Sequence, residues 1–208
     1  MKNSFKLFYF FGTPVYLKYW FFILLILGPI SFISILLAVL IHELAHAYIA
    51  KKVGCNVSSV FIDILYGAAL IDMNNTSHKE DIYIISAGPL SNLLLFIFGY
   101  LLIGYVDTGF MLDFLTTFNK VNLTLFIFNI LPIFPMDGGR ISKSTLSIIF
   151  GNKLGKYRAG VLSIITCTLL MLISSGLVPD IFNTGMFPNI VICIFTLYLL
   201  YLSYNEIK

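Results

Sequence analysis

Charged side chains are scarce in this sequence. Lysine, arginine, aspartate and glutamate make up 11% of its 208 residues, whereas about a quarter of the residues of a soluble globular domain carry a charge. Residues 19–41 and 82–106 contain no charged side chain at all. Each stretch is long enough to cross the roughly 30 Å apolar core of a bilayer as a helix. The composition therefore indicates a multi-pass membrane protein in the cell membrane, for which we expect no nucleic-acid partner.

Cysteine is also rare. The sequence has three, Cys55, Cys167 and Cys193, and their odd number and wide separation exclude a disulfide framework and a cysteine-type zinc cluster. A cleavable signal peptide is not indicated either, because Lys18 interrupts the early apolar stretch and no small-residue cleavage site follows it. We therefore expect the N-terminal segment to remain in the protein.

The apolar stretches predict about six transmembrane helices. The run from Tyr19 to Ala50 would form a helix of roughly 48 Å, too long for one straight span, and Gly28-Pro29 offers a break within it. We expect a first helix that ends near Leu27 and a second from about Ile30 to Val53. Four further spans are predicted at 82–105, 118–136, 159–178 and 187–204. The expected fold is an all-α membrane protein that forms one domain over residues 1–208.

A minor β-strand region is expected beside the helices. Residues 1–17 contain a turn signal at Gly12-Thr13-Pro14 between aromatic segments, which predicts a short interfacial hairpin. Residues 54–80 alternate apolar and polar side chains and contain turn residues. They predict strands or a hairpin at the edge of the membrane.

The basic residues predict the orientation of the chain. They cluster after the second and fourth predicted spans, at Lys51, Lys52, Lys79, Arg140, Lys143, Lys153, Lys156 and Arg158. Loops that are rich in lysine and arginine stay in the cytoplasm. The loops at 106–117 and 179–186 carry only aspartates as charges, which suits the opposite side.

One motif has the spacing of a zinc site. His42 and His46, in the sequence His-Glu-Leu-Ala-His, lie one helical turn apart and present two imidazoles to one metal ion. Zinc lowers the pKa of a bound water from about 16 to about 7, and Glu43 would take its proton to generate the nucleophile. Ionisable residues inside a span are expensive to bury and mark functional sites. We therefore expect one zinc ion per chain and peptide-bond hydrolysis.

A third protein ligand is needed, because a catalytic zinc takes three and leaves one position to water. Asp137 is the favoured candidate: it is expected to end the fourth span, which runs toward the cytoplasm as the second does. Pro132 and Pro135 disturb that span, and the following glycines permit close backbone approach. His78 is the competing candidate, although it stands beside Lys79, Glu80 and Asp81 as a solvated surface histidine would.

The pairing of His-Glu-Leu-Ala-His with Asn-Ile-Leu-Pro-Ile-Phe-Pro-Met-Asp-Gly-Gly at 129–139 resembles the site-2 protease family of intramembrane metalloproteases. Residues 86–92, Ser-Ala-Gly-Pro-Leu-Ser-Asn, are similar to that family's Gly-Pro-x-x-Asn helix, and residues 11–15 to its N-terminal strand. For Gly88, Pro89 and Asn92 we favour a packing role, since small residues and amides hold membrane helices together.

The resemblance implies a zinc ion held by His42, His46 and Asp137, with Glu43 as general base. It also implies substrate contacts. We expect these at Asn129, Pro135, Tyr66 and Gly67, and the strands before the third span should pair with an unwound substrate segment. One departure is Ala68, where many relatives have a second glycine after the aromatic residue, so the shape of that loop is an open question.

The short sporulation type of the family, which processes a pro-sigma factor, is the most similar. That type normally continues into a nucleotide-binding CBS domain, which these residues do not contain, so we expect nucleotide to have no direct effect. The expected substrate is a membrane-associated regulatory precursor cut near the cytoplasmic face. Regulatory membrane partners and a homo-oligomer are both compatible with the sequence. The alternative function is a membrane metal-ion transporter.

Overall fold

The computed structural model describes residues 3–63, 68–174 and 196–204. The chain forms two compact units, Met1–Phe128 and Asn129–Lys208. The first contains strands β1 (Ser4–Phe10) and β2 (Thr13–Lys18), a 3₁₀ helix (Tyr19–Leu27), helix α1 (Pro29–Val53), strands β3 (Val57–Ile62) and β4 (Ala68–Ile71), helix α2 (His78–Ile103) and most of helix α3 (Phe110–Ile130). The second contains α4 (Asp137–Phe150), α5 (Asn152–Ser174) and a helix α6 at 196–204. The single domain expected over 1–208 stays a prediction.

The predicted break at Gly28-Pro29 is confirmed. Gly28 has φ +88°, a conformation that favours glycine, and Pro29 begins α1 because a helix needs no N–H at its first position. The segment before the break is a nine-residue 3₁₀ helix, only about 18 Å long at 2.0 Å per residue. It is too short to cross a bilayer, so it is not the first span that the apolar run predicted.

Both predicted strand regions are confirmed, and they form one sheet. The strand order is β1-β2-β3-β4, with β4 and β1 at the two edges. The outer pairs are antiparallel, whereas β2 and β3 run parallel, joined by the long crossover through α1. The inward side chains of β2 and β3, among them Val15 and Val60, form a buried core with residues of α1 and α2. The sheet is thereby held against the helices that carry the candidate site.

Helix α2 begins at a capping box. The Ser77 hydroxyl accepts the N–H of Glu80 at 3.3 Å, and the Glu80 carboxylate accepts the N–H of Ser77 at 2.7 Å. Two N–H groups that no helical carbonyl reaches are thus satisfied. Further along, α2 leaves space at Gly99 for the buried Asn119 of α3. With its amide oriented to satisfy both atoms, Asn119 donates to the Phe96 carbonyl and accepts the Tyr100 N–H.

The prediction of a helical span over 118–136 is wrong. Helix α3 ends at Ile130, residues 131–136 form turns, and Asp137 begins α4 rather than ending a span. Pro132 and Pro135 explain the interruption, because proline cannot donate to the helical hydrogen-bond ladder. The peptide bond between Phe134 and Pro135 is cis.

Three helices of the described residues are long and apolar enough to cross a membrane: Pro29–Val53, His78–Ile103 and Asn152–Ile173. They match three of the six predicted spans. The predicted span at 187–204 lies outside the described residues up to 195. The mostly helical fold with a small sheet is therefore confirmed, whereas the described residues do not confirm the number of six spans.

Candidate metal centre

His42 and His46 form the centre of the candidate site. Both lie on the inner face of α1, and each side chain is buried. Their ring centroids are 4.7 Å apart, the rings are nearly perpendicular, and the two Nε2 atoms are 3.1 Å apart. Residues four apart meet on one face of a helix, so the predicted pairing of the two imidazoles is present.

One face of α2 lines the histidine pair. Ile84, Gly88 and Asn92 follow one another at four-residue intervals on that helix. The Ile84 carbonyl lies 2.9 Å from Nδ1 of His46, and Oδ1 of Asn92 lies 2.5 Å from Nδ1 of His42. Metal-binding histidines are oriented by this kind of hydrogen bond from the ring nitrogen that does not hold the metal.

A chain of amides fixes the tautomer of His42. The amide nitrogen of Asn122 donates to the Phe118 carbonyl at 2.8 Å, so its Oδ1 faces Asn92 and accepts from Nδ2 of Asn92 at 2.9 Å. Oδ1 of Asn92 is then the atom that faces His42. Because an amide oxygen only accepts, Nδ1 of His42 carries the proton and donates.

The same reasoning applies to His46, whose Nδ1 faces a backbone carbonyl. In the neutral state both imidazoles therefore present an Nε2 lone pair toward the same point, and neither Nε2 has a proton to give the other. Two nitrogens on a tetrahedral zinc ion, with Zn–N of about 2.0–2.1 Å, stand about 3.3 Å apart. The observed 3.1 Å fits that arrangement.

Gly88 leaves the space in front of the two nitrogens open. A Cβ at this position would lie 2.6 Å from Nε2 of His42 and closer still to Nε2 of His46. Any side chain at position 88 would therefore overlap the atoms that face the candidate metal position. The glycine is required by the site, beyond the close packing of helices.

Glu43 is buried on α1 beside the first histidine. Its Oε2 accepts the N–H of Ala69 at 3.0 Å. Ala69 belongs to β4, which lies at an edge of the sheet. The carboxylate is therefore tied to the main chain of an edge strand, close to the histidine pair in sequence and held in one orientation.

Asp137 lies in the second unit, at the first position of α4, and is buried. Gly138 and Gly139 allow the start of α4 to pack against the preceding turn, since a Cβ on either would overlap main-chain atoms of residues 130–134. Among the described residues, His42, His46 and Asp137 each offer a buried ligand atom of a kind that binds metal ions. Two imidazoles and one carboxylate are a donor set that zinc takes in catalytic sites.

The remaining predicted site residues are the expected substrate contacts and the competing metal ligand. Asn129 is half-buried in the last turn of α3, and Pro135 is exposed in the turn before α4. Tyr66 and Gly67 lie outside the described residues. His78, the competing ligand, begins α2 with Nδ1 3.5 Å from a carboxylate oxygen of Asp81, and it is not part of the group that could hold a metal.

Sequence comparison decides the family. The profile of peptidase family M50 matches residues 30–109 and 105–173, more than half of the chain. The chain belongs to peptidase family M50. The resemblance to site-2 proteases that the sequence motifs indicated is therefore confirmed.

Relatives in the M50 family carry names that agree. Zinc metalloprotease MJ0392 of Methanocaldococcus jannaschii is 32% identical over 166 residues, 73% of this chain and 48% of that protein. Putative zinc metalloprotease Rip3 of Mycobacterium tuberculosis is 32% identical over 82% of this chain and 44% of its own length. Stage IV sporulation protein FB of Bacillus subtilis is 32% identical over 68% and 48%. The chain thus spans about half the length of the curated relatives it matches.

A solved structure is similar over nearly all of the chain. The site-2 protease from Methanocaldococcus jannaschii superposes with a TM-score of 0.68 at 26% identity, covering 99% of this chain and 95% of that one. The M50 fold therefore extends over the sequence. Membership of a peptidase family does not favour the metal transporter that the sequence left as an alternative.

The sequence alone does not identify every residue that contacts the histidines or Glu43. Gly88 and Asn92 were expected to serve helix packing, yet both contact the histidines. Asn122 and Ala69 were not singled out at all, although they bind Asn92 and Glu43. The spacing of Gly88 and Asn92, four residues apart on an apolar helix and each polar or small, was the available signal.

Proposed function

We propose that this chain is an intramembrane zinc metallopeptidase that hydrolyses a peptide bond in or near a transmembrane segment of its substrate. The observation that carries the proposal is the pair of Nε2 atoms of His42 and His46, which lie 3.1 Å apart on rings that each have a hydrogen-bond partner at Nδ1. Membership of peptidase family M50 and the zinc metalloprotease names of its relatives support it.

His42, His46 and Asp137 would hold one zinc ion per chain. The donor chemistry and the burial of all three side chains support this set. When bound, zinc supplies a strong Lewis acid that lowers the pKa of a coordinated water to about 7. Asp137 begins a helix, and the N–H groups of the first helical turn stabilise a negative charge at that position.

Glu43 would act as the general base. The side chain is buried, and its hydrogen bond from the Ala69 N–H holds the carboxylate in place. General bases of this kind contribute about 10²–10⁴-fold to the rate. Ala69, which donates to Glu43, lies on the edge strand β4. The proposed base is therefore next to the strand along which a substrate would bind.

The open edge of β4 would bind the substrate as an added strand. A helical substrate hides its amides in its own hydrogen bonds, and pairing with an edge unwinds it. The N–H of Ala69 points to Glu43 rather than to β3, so a strand added along β4 passes directly beside the carboxylate. Tyr66, Gly67, Asn129 and Pro135 are proposed to contact this segment, with Asn129 donating to a carbonyl or oxyanion.

Disulfide cross-linking tests the added strand. Leu70 of β4 is half-exposed, and in a Glu43→Gln background Leu70→Cys should cross-link to alternate positions of a single-span substrate, because strand side chains alternate in direction. Phe8→Cys on β1, the opposite edge, is the matched control and should give no such pattern. Equal cross-linking at both edges would contradict pairing at β4.

We propose a membrane-associated regulatory precursor, cut near the cytoplasmic face, as the substrate. The basic residues that follow the candidate site in sequence support this orientation, and the similarity to stage IV sporulation protein FB supports a role in sporulation, where a pro-sigma factor would be the substrate. Co-expression with a pro-sigma factor and with a single-span anti-sigma factor, followed by mass spectrometry of the products, separates the possibilities. Cleavage of the anti-sigma factor alone would contradict the sporulation role.

A further inference from the structure

Two buried serine hydroxyls contact the turn that leads to Asp137. Ser163 lies on α5 and Ser203 on α6, and neither side chain is exposed. The N–H of Phe134 donates to Oγ of Ser163 at 2.9 Å. The two serine oxygens are 2.6 Å apart, and Oγ of Ser203 lies 3.5 Å from the Phe134 carbonyl. Both serines, Phe134 and Asp137 belong to the second unit.

Counting donors gives this cluster a single direction. The Phe134 N–H occupies one lone pair of Ser163, and Oγ of Ser203 donates to the Phe134 carbonyl. The bond between the hydroxyls then runs from Ser163 to Ser203. The three groups form a closed ring in which each donates once and accepts once, so removal of either hydroxyl opens the whole ring.

The ring holds the main chain of the turn before α4. Pro135 has no N–H, and within the turn Met136 donates to the Ile133 carbonyl at 2.8 Å. Ile133 is buried against Cys167 of α5 and Leu199 of α6. The apolar side chain of Ile133 and the main chain of Phe134 are therefore both bound by the same two helices.

Asp137 follows Phe134 by three residues. The N–H groups of Gly139 and Arg140 both donate to the Met136 carbonyl and so begin α4. A displacement of the Phe134 peptide would therefore move Asp137 as well, through the short main-chain link and through the hydrogen bonds to the Met136 carbonyl. A metal ligand must be placed within about 0.5 Å of its productive position.

We propose that Ser163 and Ser203 are positioning residues, whose ring with the Phe134 main chain holds the turn before Asp137 and thereby raises the zinc affinity of the centre. The proposal rests on the proposed function, since it takes Asp137 as a zinc ligand. Neither serine is proposed as a metal ligand or as a substrate contact. Their effect passes entirely through the main chain of residues 134–137.

The test measures zinc affinity and the rate of zinc release to a chelator for the purified full chain in detergent. Ser163→Ala and Ser203→Ala should each weaken zinc binding by about tenfold, the lower end of the loss typical for outer-shell partners. The double variant should lose no more than either single variant, because one substitution already opens the ring. Thr166→Val and Thr168→Val are matched controls, since their hydroxyls donate to carbonyls of α5 itself, and they should bind zinc as wild type does.

Thermal unfolding of each variant in the same detergent separates positioning from helix packing. Lower thermal stability with unchanged zinc affinity in both serine variants, or independent and additive losses of affinity, would overturn the proposal. Asp137→Asn is the reference variant: if it binds zinc normally, the ligand assignment itself has failed. If Asp137→Asn loses zinc and the serine variants do not, only the positioning role is wrong. Either serine variant alone suffices for the test should the other not fold.

Discussion

Nδ1 of His42 lies 2.5 Å from Oδ1 of Asn92, although 50 residues separate the two in sequence. Asn92 is itself oriented by Asn122 and by the Ala38 carbonyl, so its oxygen is directed at the histidine. This bond determines which nitrogen of His42 carries the proton. It therefore determines which nitrogen faces the candidate metal position.

Asn92→Ala should weaken zinc binding by about 10–100-fold, the usual cost of losing an outer-shell partner of a histidine ligand. Without the amide, the proton of His42 is free to move to Nε2 and block the metal. Equilibrium dialysis against buffered zinc measures the change. Asn119→Ala is the control, because Asn119 is another buried amide and bonds the α2 main chain; if both variants lose zinc equally, the effect is on helix packing.

Gly88→Ala should lower zinc content more severely than Asn92→Ala. The added methyl group would overlap Nε2 of both histidines, so it occupies the space in front of the ligands rather than loosening one of them. Gly104→Ala, at the end of the same helix, meets its nearest neighbour at an ordinary 3.8 Å and serves as control. Elemental analysis of the purified variants decides, and normal zinc in Gly88→Ala would disprove the placement of the metal.

Removal of a proposed ligand should reduce zinc affinity by more than about 100-fold, which is the upper limit for removal of a residue that only orients a ligand. The variants are His42→Ala, His46→Ala and Asp137→Asn. A site with two protein ligands binds zinc weakly. His78→Ala should leave zinc bound, because His78 lies outside the candidate group. Normal zinc in Asp137→Asn together with loss in His78→Ala would reverse the choice of third ligand.

Single cysteines near Lys52 and Lys153, in a variant without Cys55, Cys167 and Cys193, should react only with reagents that enter the cytoplasm. A cysteine near Asp180 should react from outside. The reason is that lysine and arginine are concentrated around Lys52 and Lys153. Alkylation of intact cells with an impermeant maleimide measures the pattern. The inverse pattern would place the candidate site at the outer leaflet while leaving its ligands unchanged.

The local parts of this fold could be predicted from the sequence. The break at Gly28-Pro29, the strands around Thr13 and Val57, and the one-turn spacing of His42 and His46 each follow from the conformational preferences of a few neighbouring residues. Such preferences act over short distances, and the rest of the protein does not override them here.

The longer-range parts could not be predicted. The apolar run around Asn129 has the composition of a span, yet the chain leaves the helix at Ile130 and starts another at Asp137. Hydropathy does not distinguish a helix from a turn that is buried against α5 and α6. Asn92 and Gly88 were likewise ambiguous, because an amide or a glycine that packs two helices has the same sequence signal as one that positions a metal ligand.

Purified wild-type protein and Glu43→Gln, each with its zinc content measured, provide the most direct test of the proposed chemistry. Both are incubated with the same single-span substrate, and new termini are counted by mass spectrometry. The proposed role of Glu43 predicts one zinc per chain in both proteins and a rate about 10²–10⁴-fold lower in the variant. Equal cleavage by the two proteins, or no cleavage of any membrane substrate by the zinc-loaded wild type, would contradict it.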